Sequence, residues 1–268
     1  QSVVSIHDLI FLRYPQYYKP IDRFIYRLKF RYACRKADRI IAVSECTKRD
    51  IISFFHIPEE KIHVVYQGCH PAFGVSVSEE KRKAVMEKYR LPSLFVLNVG
   101  SIEERKNLML AAKALQHIPD NIHLVAVGKR TPYQSRVEKY AHESGLESRL
   151  HLLNGVTFDD LPAIYQSAAV FVYPSYFEGF GIPVIEALTS GVPVIAATGS
   201  CLEEAGGPGS ACVDPDDYMA LAEKISEILT NERLAQQMIE AGKKYVERFS
   251  EDRIASDIMD VYQSASPI

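Results

Sequence analysis

The stretch Pro174-Ser175-Tyr176-Phe177-Glu178-Gly179-Phe180-Gly181-Ile182-Pro183-Val184-Ile185-Glu186-Ala187-Leu188 contains the features that decide the fold. It follows a short apolar run, passes through a loop with two glycines, and continues as a helix-forming sequence in which Pro183 suits the first helical position. In open parallel sheets, ligands bind where a strand ends and the next helix begins. Unpaired backbone N–H groups and the helix dipole attract phosphate to that place. The stretch therefore predicts a strand, a phosphate-binding loop and a helix in succession.

The same alternation of strands and helices extends along most of the chain. The predicted strands are Val3–Ile6, Arg39–Val43, Ile62–Tyr66, Leu94–Val99, His123–Val127, Leu150–Leu153, Val170–Val172 and Pro193–Ala196. The amphipathic segments between them include Glu79–Lys88, Asn107–His117, Arg136–Ser144, Asp159–Gln166 and Ile182–Thr189. Strands that alternate with helices indicate βαβ units. The fold class is therefore α/β, with parallel sheets covered by helices.

The sequence divides into two doubly wound, Rossmann-like domains and a final helix. Glycine and proline interrupt the pattern within 67–78, so we set the boundaries at 1–75, 76–249 and 250–268. Residues 76–249 carry the elements of a whole doubly wound domain, whereas 1–75 carry three strands. We expect the first domain to be incomplete, with roughly 100 of its residues lying before Gln1. The final helix, capped at Ser250, is expected to pack back toward the first domain.

Composition removes several classes of protein from consideration. Apolar residues make up 47% and charged residues 24%, which suits a globular protein with a substantial core. No apolar run approaches the roughly 18 residues of a membrane-spanning helix. The five cysteines form no CxxC pair, so we expect neither a disulfide framework nor a zinc site. GxGxxG and P-loop motifs are absent as well. We expect a cytoplasmic protein, and the lack of a carboxylate cluster predicts no metal or cofactor.

The charge is unevenly distributed. Residues 1–70 carry 12 Lys and Arg against 7 Asp and Glu, although the whole chain has a net charge of −3. Arg23, Arg27, Arg31 and Arg35 recur every four residues and predict one basic helix stripe, beside an apolar face formed by Ile21, Phe24, Ile25 and Leu28. Such a helix either docks on an anionic membrane surface or packs on the core with a solvated basic face. No nucleic-acid-binding motif accompanies the charge, so we expect no nucleic-acid partner.

Two glutamates in the opening stretch carry a family resemblance. Glu178 and Glu186 form the E-x7-E pattern, and 178–196 as a whole resembles the signature of the retaining nucleotide-sugar glycosyltransferases of the GT-B fold, in the family-4 (group 1) branch. The resemblance implies that Glu178 contacts hydroxyls of the donor sugar and Glu186 the ribose. It also implies that backbone N–H groups of Gly179, Phe180, Gly181 and Ile182 hold phosphate or sugar oxygens.

Three other segments match this family. The run 99–107 is similar to the motif in which a basic pair holds the donor's diphosphate, which gives that role to Arg105 and Lys106 beside Gly100. Many members carry Arg directly after this glycine, where Ser101 stands here. Gly155 and Val156 lie in a loop that resembles the one against which the nucleotide base rests. His7 matches the histidine that approaches the transferred sugar from the acceptor-side domain, of which 1–75 would be the last part.

The resemblance therefore implies transfer of a sugar from a GDP- or UDP-sugar to a glycan or lipid-linked acceptor hydroxyl, with retention. Glu178, His7 and Lys106 are the expected catalytic residues. The motif style favours a mannosyltransferase of polysaccharide or lipopolysaccharide assembly, placed in the cytoplasm or on the inner face of the plasma membrane. Two alternatives stay open: a fragment that only binds nucleotide-sugars, and a sugar-nucleotide epimerase on the same fold.

Overall fold

The computed structural model describes residues 2–265, which form two compact units. The first unit comprises the chain up to Gly68, the short stretch Phe177–Gly181, and the chain from Arg248 onward. The second unit comprises Cys69–Tyr176 and Ile182–Glu247. The change of unit thus falls at 68–69 rather than at the predicted 75–76, and 177–181 clusters with the first unit although we had assigned it to 76–249.

Within the described residues, the first unit contains a parallel sheet of three strands in the order β1-β2-β3. Its elements are β1 (Val3–Ile6), α1 (Ile10–Arg13), α2 (Pro20–Lys36), β2 (Arg39–Ala42), α3 (Glu45–Phe55), β3 (Ile62–Val64) and α12 (Glu251–Ala265). Ile40 of β2 is fully buried and lies opposite both Val4 and Ile62 in the ladder. On one face of the sheet, α3 supplies Ile51 and Phe55 to the core. On the other face, Val261 of α12 packs near Ile41 and Val65, so the final helix belongs to this unit.

The second unit is built around a parallel sheet of six strands, counted over the described residues, in the order β6-β5-β4-β7-β8-β9. Its strands are β4 (Phe95–Val99), β5 (His123–Val127), β6 (Leu150–Leu153), β7 (Val170–Tyr173), β8 (Val194–Ala197) and β9 (Ala211–Val213). Its helices are α4 (Glu79–Lys88), α5 (Leu108–Ala114), α6 (Gln134–Glu143), α7 (Leu161–Ser167), α8 (Ile182–Thr189), α9 (Leu202–Gly206), α10 (Tyr218–Thr230) and α11 (Glu232–Val246). Numbered within the unit, the order is 3-2-1-4-5-6, that of a doubly wound nucleotide-binding domain. The α/β prediction is therefore confirmed.

Small departures from the predicted bounds have local causes. Helix α5 begins at Leu108, one residue later than predicted, because Asn107 adopts a left-handed φ of 54°. Strand β8 begins at Val194: the carbonyl of Pro193 accepts a 2.8 Å bond from Phe171 N, but a proline nitrogen has no hydrogen to donate. Strand β9 was not predicted, since three residues are too short to show a period.

Candidate active site

The strands β4 and β7 lie side by side at the centre of the second sheet, where the strand order reverses. This switch point is where open α/β sheets bind ligands, beyond the carboxyl ends of the strands. Gly100 follows β4, and a single 3₁₀ turn, Glu104–Lys106, comes before α5. Tyr173 ends β7. The predicted basic pair and the loop of the opening stretch therefore leave the sheet from neighbouring strands.

Asn107 ties the basic turn to the loops around it. Its side chain is buried, and Nδ2 donates to the carbonyl of Pro174 at 3.2 Å and to that of Pro215 at 2.7 Å. The backbone N–H of Tyr176 also donates to the carbonyl of Arg105 at 2.9 Å. The turn bearing Arg105 and Lys106 is thus fastened to the loop that follows β7. Sequence reasoning did not assign Asn107 a role.

Lys106 and Gly100, which belong to the same predicted motif, lie against each other. Gly100 has φ +148°, and a Cβ atom built on it would lie 3.0 Å from Cδ of Lys106, so a side chain here would displace the lysine. Lys106 Nζ lies 2.7 Å from the hydroxyl of Tyr173. Arg105 takes a different partner: its guanidinium donates to Glu103 Oε1 at 2.8 Å. Lys106 therefore lies against the backbone at Gly100, and Arg105 is held by the carboxylate of Glu103 at the start of the same turn.

Glu186 lies one turn inside α8 and is largely buried. Its Oε2 accepts a 2.7 Å hydrogen bond from the hydroxyl of Tyr165, which is completely buried. Burial raises the pKa of Glu186 above its ordinary value, against the opposing effect of the Tyr165 bond. Burial, and next the Glu186 charge, raise the pKa of Tyr165 well above its ordinary value. A partly buried carboxylate that accepts one hydrogen bond keeps further lone pairs for hydroxyl donors.

Glu178 is followed directly by two residues that the first unit anchors. The carbonyl of Gly179 accepts a 2.7 Å hydrogen bond from Ser44 Oγ, the residue that caps α3. Phe180 stacks on Tyr66 with ring centroids 5.4 Å apart. The loop immediately after Glu178 is therefore held by Ser44 and Tyr66.

His7 is adjacent to this loop. Gly179 approaches the carbonyl of His7, and Thr47 Oγ1 lies 3.3 Å from the carbonyl oxygens of both residues. The side-chain Nδ1 of His7 lies 3.3 Å from Nε2 of Gln67. An amide N–H donating to Nδ1 leaves the proton of the neutral imidazole on Nε2. Glu178 to Gly181 and His7 thus belong to one unit, and Ile182 and Glu186 to the other.

The loop assigned to the nucleotide base is held by a carboxylate that sequence reasoning missed. Asp160 Oδ2 accepts hydrogen bonds from Lys88 Nζ at 2.6 Å, from Tyr89 OH at 2.8 Å and from Thr157 Oγ1 at 2.9 Å. These bonds, led by that of Lys88, lower the pKa of Asp160 to about 2. Gly155 takes a left-handed φ of 83° at the head of this loop, and Val156 follows it. A cavity of about 420 Å³ borders the far end of the loop, at Phe158, Asp159 and Pro162.

The helix predicted to carry the basic stripe is α2, and its apolar face points away from the core. Phe11, Phe30 and Cys34 hold one side of the helix in the core of the first unit. Apolar side chains on the opposite side are exposed: Ile21 by 67%, Phe24 by 63%, Leu28 by 53% and Tyr32 by 66%. Of the four arginines in the stripe, Arg23 is half-buried and the other three are exposed. The helix thus packs on the core, but not through the predicted apolar face of Ile21, Phe24, Ile25 and Leu28, which is exposed.

None of the helices within 2–265 is long and apolar enough to cross a bilayer. The same residues contain no group of three or more His, Cys, Asp or Glu side chains arranged to hold a metal ion. The expectation of chemistry without a metal stays a prediction.

The second unit has the strand order of a doubly wound α/β domain, and comparisons with known proteins define the class of protein. Residues 80–245 match the model of the family described as glycosyl transferases group 1, and residues 1–73 match that of glycosyltransferase family 4. The chain belongs to the group 1 glycosyltransferases. The predicted family is thereby confirmed.

Curated relatives of the chain include several mannosyltransferases. The chain is 28% identical to O-antigen chain mannosyltransferase B of Escherichia coli, over 98% of its own length and 70% of that protein. It is 29% identical to O-antigen chain mannosyltransferase RfbU of Salmonella typhimurium, over 94% of its length and 67% of that protein. Against the serotype-specific mannosyltransferase WbdA of Escherichia coli, the identity is 30%, but the chain spans only 30% of that protein.

Solved structures share the fold. Anabaena HepE in complex with UDP and glucose superposes with a TM-score of 0.86 at 20% identity, over 98% of this chain and 71% of that one. WaaG, a glycosyltransferase involved in lipopolysaccharide biosynthesis, gives a TM-score of 0.75 at 20% identity, over 97% of this chain and 74% of that one. Together with the family match, these similarities confirm a fold of the GT-B type.

Proposed function

We propose that this chain transfers a mannosyl residue from a nucleotide-diphosphate sugar to a hydroxyl of a glycan or lipid-linked acceptor, with retention, in O-antigen or lipopolysaccharide assembly. The observation that carries the proposal is the seating of Lys106 on Gly100 at the switch point of the second sheet, beside Tyr173. The mannosyltransferases among the curated relatives support the choice of sugar and pathway.

The second unit would bind the nucleotide. Lys106 and Arg105 are expected to neutralise the diphosphate, one as a point charge and the other as a planar fork. Glu186 would accept hydrogen bonds from the ribose hydroxyls, and the backbone of Gly155 and Val156 would contact the base. Binding of this kind needs no side chain that distinguishes guanine from uracil, so the sequence leaves the base open.

Catalysis would come mainly from stabilising the charge that develops on the leaving diphosphate, the role given to Lys106. Glu178 would hold hydroxyls of the donor sugar, and His7 would contact the transferred sugar. Backbone N–H groups from Gly179 to Ile182 would bind phosphate or sugar oxygens. As the family resemblance implies, an oxygen of the leaving phosphate takes the proton of the acceptor hydroxyl, so we assign no side chain as general base.

Product analysis tests this function directly. The protein is incubated with radiolabelled GDP-mannose, UDP-glucose and other nucleotide-sugars, each with and without an O-antigen acceptor, and Lys106→Ala serves as the inactive control. We expect label in the acceptor with GDP-mannose and an α-linked product by NMR. Binding of donor without transfer would instead indicate a binding module, and an altered sugar still attached to the nucleotide would indicate an epimerase.

We also propose that α2 places the enzyme on an anionic membrane surface on the cytoplasmic side. Successive helix positions turn by about 100°, so Ile21, Phe24, Leu28 and Tyr32 form one outward strip. Arg27 and Arg31 border the strip on one side, Lys29 and Lys36 border it on the other, and Arg35 continues the strip at the end of the helix. An apolar strip between cations is the composition of a helix that lies in the interface of anionic bilayers. A lipid-linked acceptor would be found at that surface.

A further inference from the structure

Two side chains to which we assign donor contacts each touch the hydroxyl of a buried tyrosine. Lys106 Nζ lies 2.7 Å from the hydroxyl of Tyr173, and Glu186 Oε2 lies 2.7 Å from that of Tyr165. Tyr173 is 1% exposed and Tyr165 0% exposed. Both phenols are therefore fixed by packing before any ligand arrives.

The two tyrosines are linked through one further ring. Phe171, fully buried on β7, has its centroid 5.5 Å from that of Tyr165 and 5.9 Å from that of Tyr173. Phe171 and Tyr173 are two residues apart on one strand, so they share a face of the sheet. The result is a row, Tyr165–Phe171–Tyr173, with one hydroxyl at the carboxylate and the other at the ammonium. We call it the aromatic row.

We infer that Tyr173 and Tyr165 are positioning residues, and that the aromatic row holds Lys106 and Glu186 at the separation that the diphosphate and ribose of one donor require. The inference rests on the proposed function, because it presumes that these two side chains meet the donor. It adds two residues that no motif of the family resemblance included, together with a reason for their spacing.

The chemistry of a phenol suits both contacts. Lysine has a flexible stem, and fixing its ammonium in advance lowers the entropy that ligand binding would otherwise cost. A carboxylate in place of Tyr173 would neutralise the ammonium, whereas a neutral hydroxyl orients it and leaves its charge for phosphate. At the other end, Tyr165 donates to Glu186 and stays protonated because burial opposes its ionisation.

Double-mutant cycles on the intact chain test the inference. The variants are Tyr173→Phe alone and with Lys106→Ala, with UDP, GDP and the corresponding nucleosides as probes in calorimetry. We expect Tyr173→Phe to weaken UDP or GDP binding about fivefold to tenfold and to leave nucleoside affinity unchanged. In the Lys106→Ala background it should add nothing, because the group it positions is gone. The matched control is Tyr140→Phe, since Tyr140 lies on α6 and is partly buried against the core of the second unit.

The contact between Tyr165 and Glu186 is tested by the pH dependence of nucleotide binding. The hydrogen bond from Tyr165 stabilises the charged form of Glu186, so its loss should raise the pKa of this carboxyl further. Tyr165→Phe should therefore shift the pH midpoint of nucleotide binding upward. This pH dependence should be absent in Tyr165→Phe combined with Glu186→Gln. A tyrosine that only filled space would leave the midpoint where it is.

The outcomes separate this inference from the function on which it rests. Unchanged UDP and GDP affinity in Lys106→Ala would remove the lysine from the donor site and overturn the proposed function. A loss in Lys106→Ala with wild-type affinity in Tyr173→Phe, or full additivity in the cycle, would overturn the inference alone. Phe171→Leu keeps both hydroxyls and loosens the row, so it should also weaken diphosphate binding. Wild-type affinity in that variant would contradict the inference equally.

Discussion

A Cβ atom on Gly179 would lie 2.1 Å from the carbonyl oxygen of His7. A Cβ atom does not approach a non-bonded oxygen this closely, and the oxygen belongs to the backbone, so it cannot rotate away as a side chain could. The E-x7-E segment therefore carries a glycine here because two stretches of main chain touch.

Gly179→Ala should force these two stretches apart and displace Glu178. We expect a loss of about 1–3 kcal/mol in the free energy of unfolding and a transfer rate reduced more than tenfold. Affinity for free UDP or GDP should fall much less than the transfer rate, since the side chains that we assign to the nucleotide, Arg105, Lys106 and Glu186, lie in the second unit. Denaturant unfolding and product assays measure both effects. Gly74→Ala is the control, because Gly74, like Gly179, has no left-handed φ, and its added Cβ would meet only a side-chain methyl group of Thr189 at 3.3 Å. Equal losses in the two variants would show that the His7 contact is not the cause.

Glu186→Gln should weaken the pH dependence of folding stability and that of nucleotide affinity, which have opposite signs in the parent. The folded pKa of Glu186 is raised above its ordinary value of 4.5, so the folded state binds more protons than the unfolded state in the window just above pH 4.5. Stability of the parent should therefore fall as pH rises through this window, while nucleotide affinity should rise because the ionised carboxylate is the better acceptor. Melting temperature and UDP or GDP binding, measured from pH 4 to pH 7, should give smaller slopes in the variant. Identical slopes in parent and variant would contradict the assignment.

Glu178→Gln should separate sugar recognition from nucleotide recognition. We expect it to bind free UDP or GDP like the parent and to bind the matching nucleotide-sugar about tenfold more weakly, since it loses a charged acceptor for sugar hydroxyls. Glu186→Gln should instead weaken both ligands alike. Calorimetry with each ligand pair compares the two variants. The roles are wrong if the ratio of nucleotide-sugar affinity to free-nucleotide affinity is the same in both variants.

Asp160→Asn should loosen the loop that contains Gly155 and Val156. The pKa of Asp160 is about 2 in the folded protein against an ordinary value of 3.8, so its contribution to stability is complete above pH 3.8 and disappears as pH falls toward 2. We expect a loss of about 1 kcal/mol at neutral pH. Thermal melts at pH 7 and at pH 3 should show the difference shrinking in acid. Asp159→Asn, on the exposed neighbour, should change little.

The exposed helix α2 predicts binding to anionic vesicles that salt weakens. Arg27, Arg31 and Arg35 changed together to Gln should reduce binding by about 1 kcal/mol per cation near the surface. Co-sedimentation with anionic and neutral vesicles at low and high salt measures this. The control removes the same charge elsewhere, at Lys129, Arg130 and Lys139, which are also exposed. If the control loses as much binding, net charge rather than α2 is responsible, and no binding at low salt would refute the membrane proposal.

Much of the fold followed from local patterns, and the site followed in part. Strand positions such as 123–127 and 150–153 matched because buried parallel strands are short apolar runs with clear ends. Periodicity also located α2, but it could not show which apolar face meets the core, because Phe24 and Phe30 look alike in sequence. Tyr165 and Tyr173 escaped notice for a similar reason: a tyrosine in an apolar strand or helix is typical of core, and only the structure shows what its hydroxyl contacts.

Helix α12, which packs beside Ile41 and Val65, has a consequence for the order in which the molecule is made. The strands of the first sheet precede the second unit in the chain, whereas Val261 follows it. The loop Phe177–Gly181, which also completes this unit, arrives more than 100 residues after Ser44. The first sheet is therefore translated before the second unit but is completed only after it. Until then its apolar sheet face remains uncovered, which makes the nascent chain a natural client for chaperones.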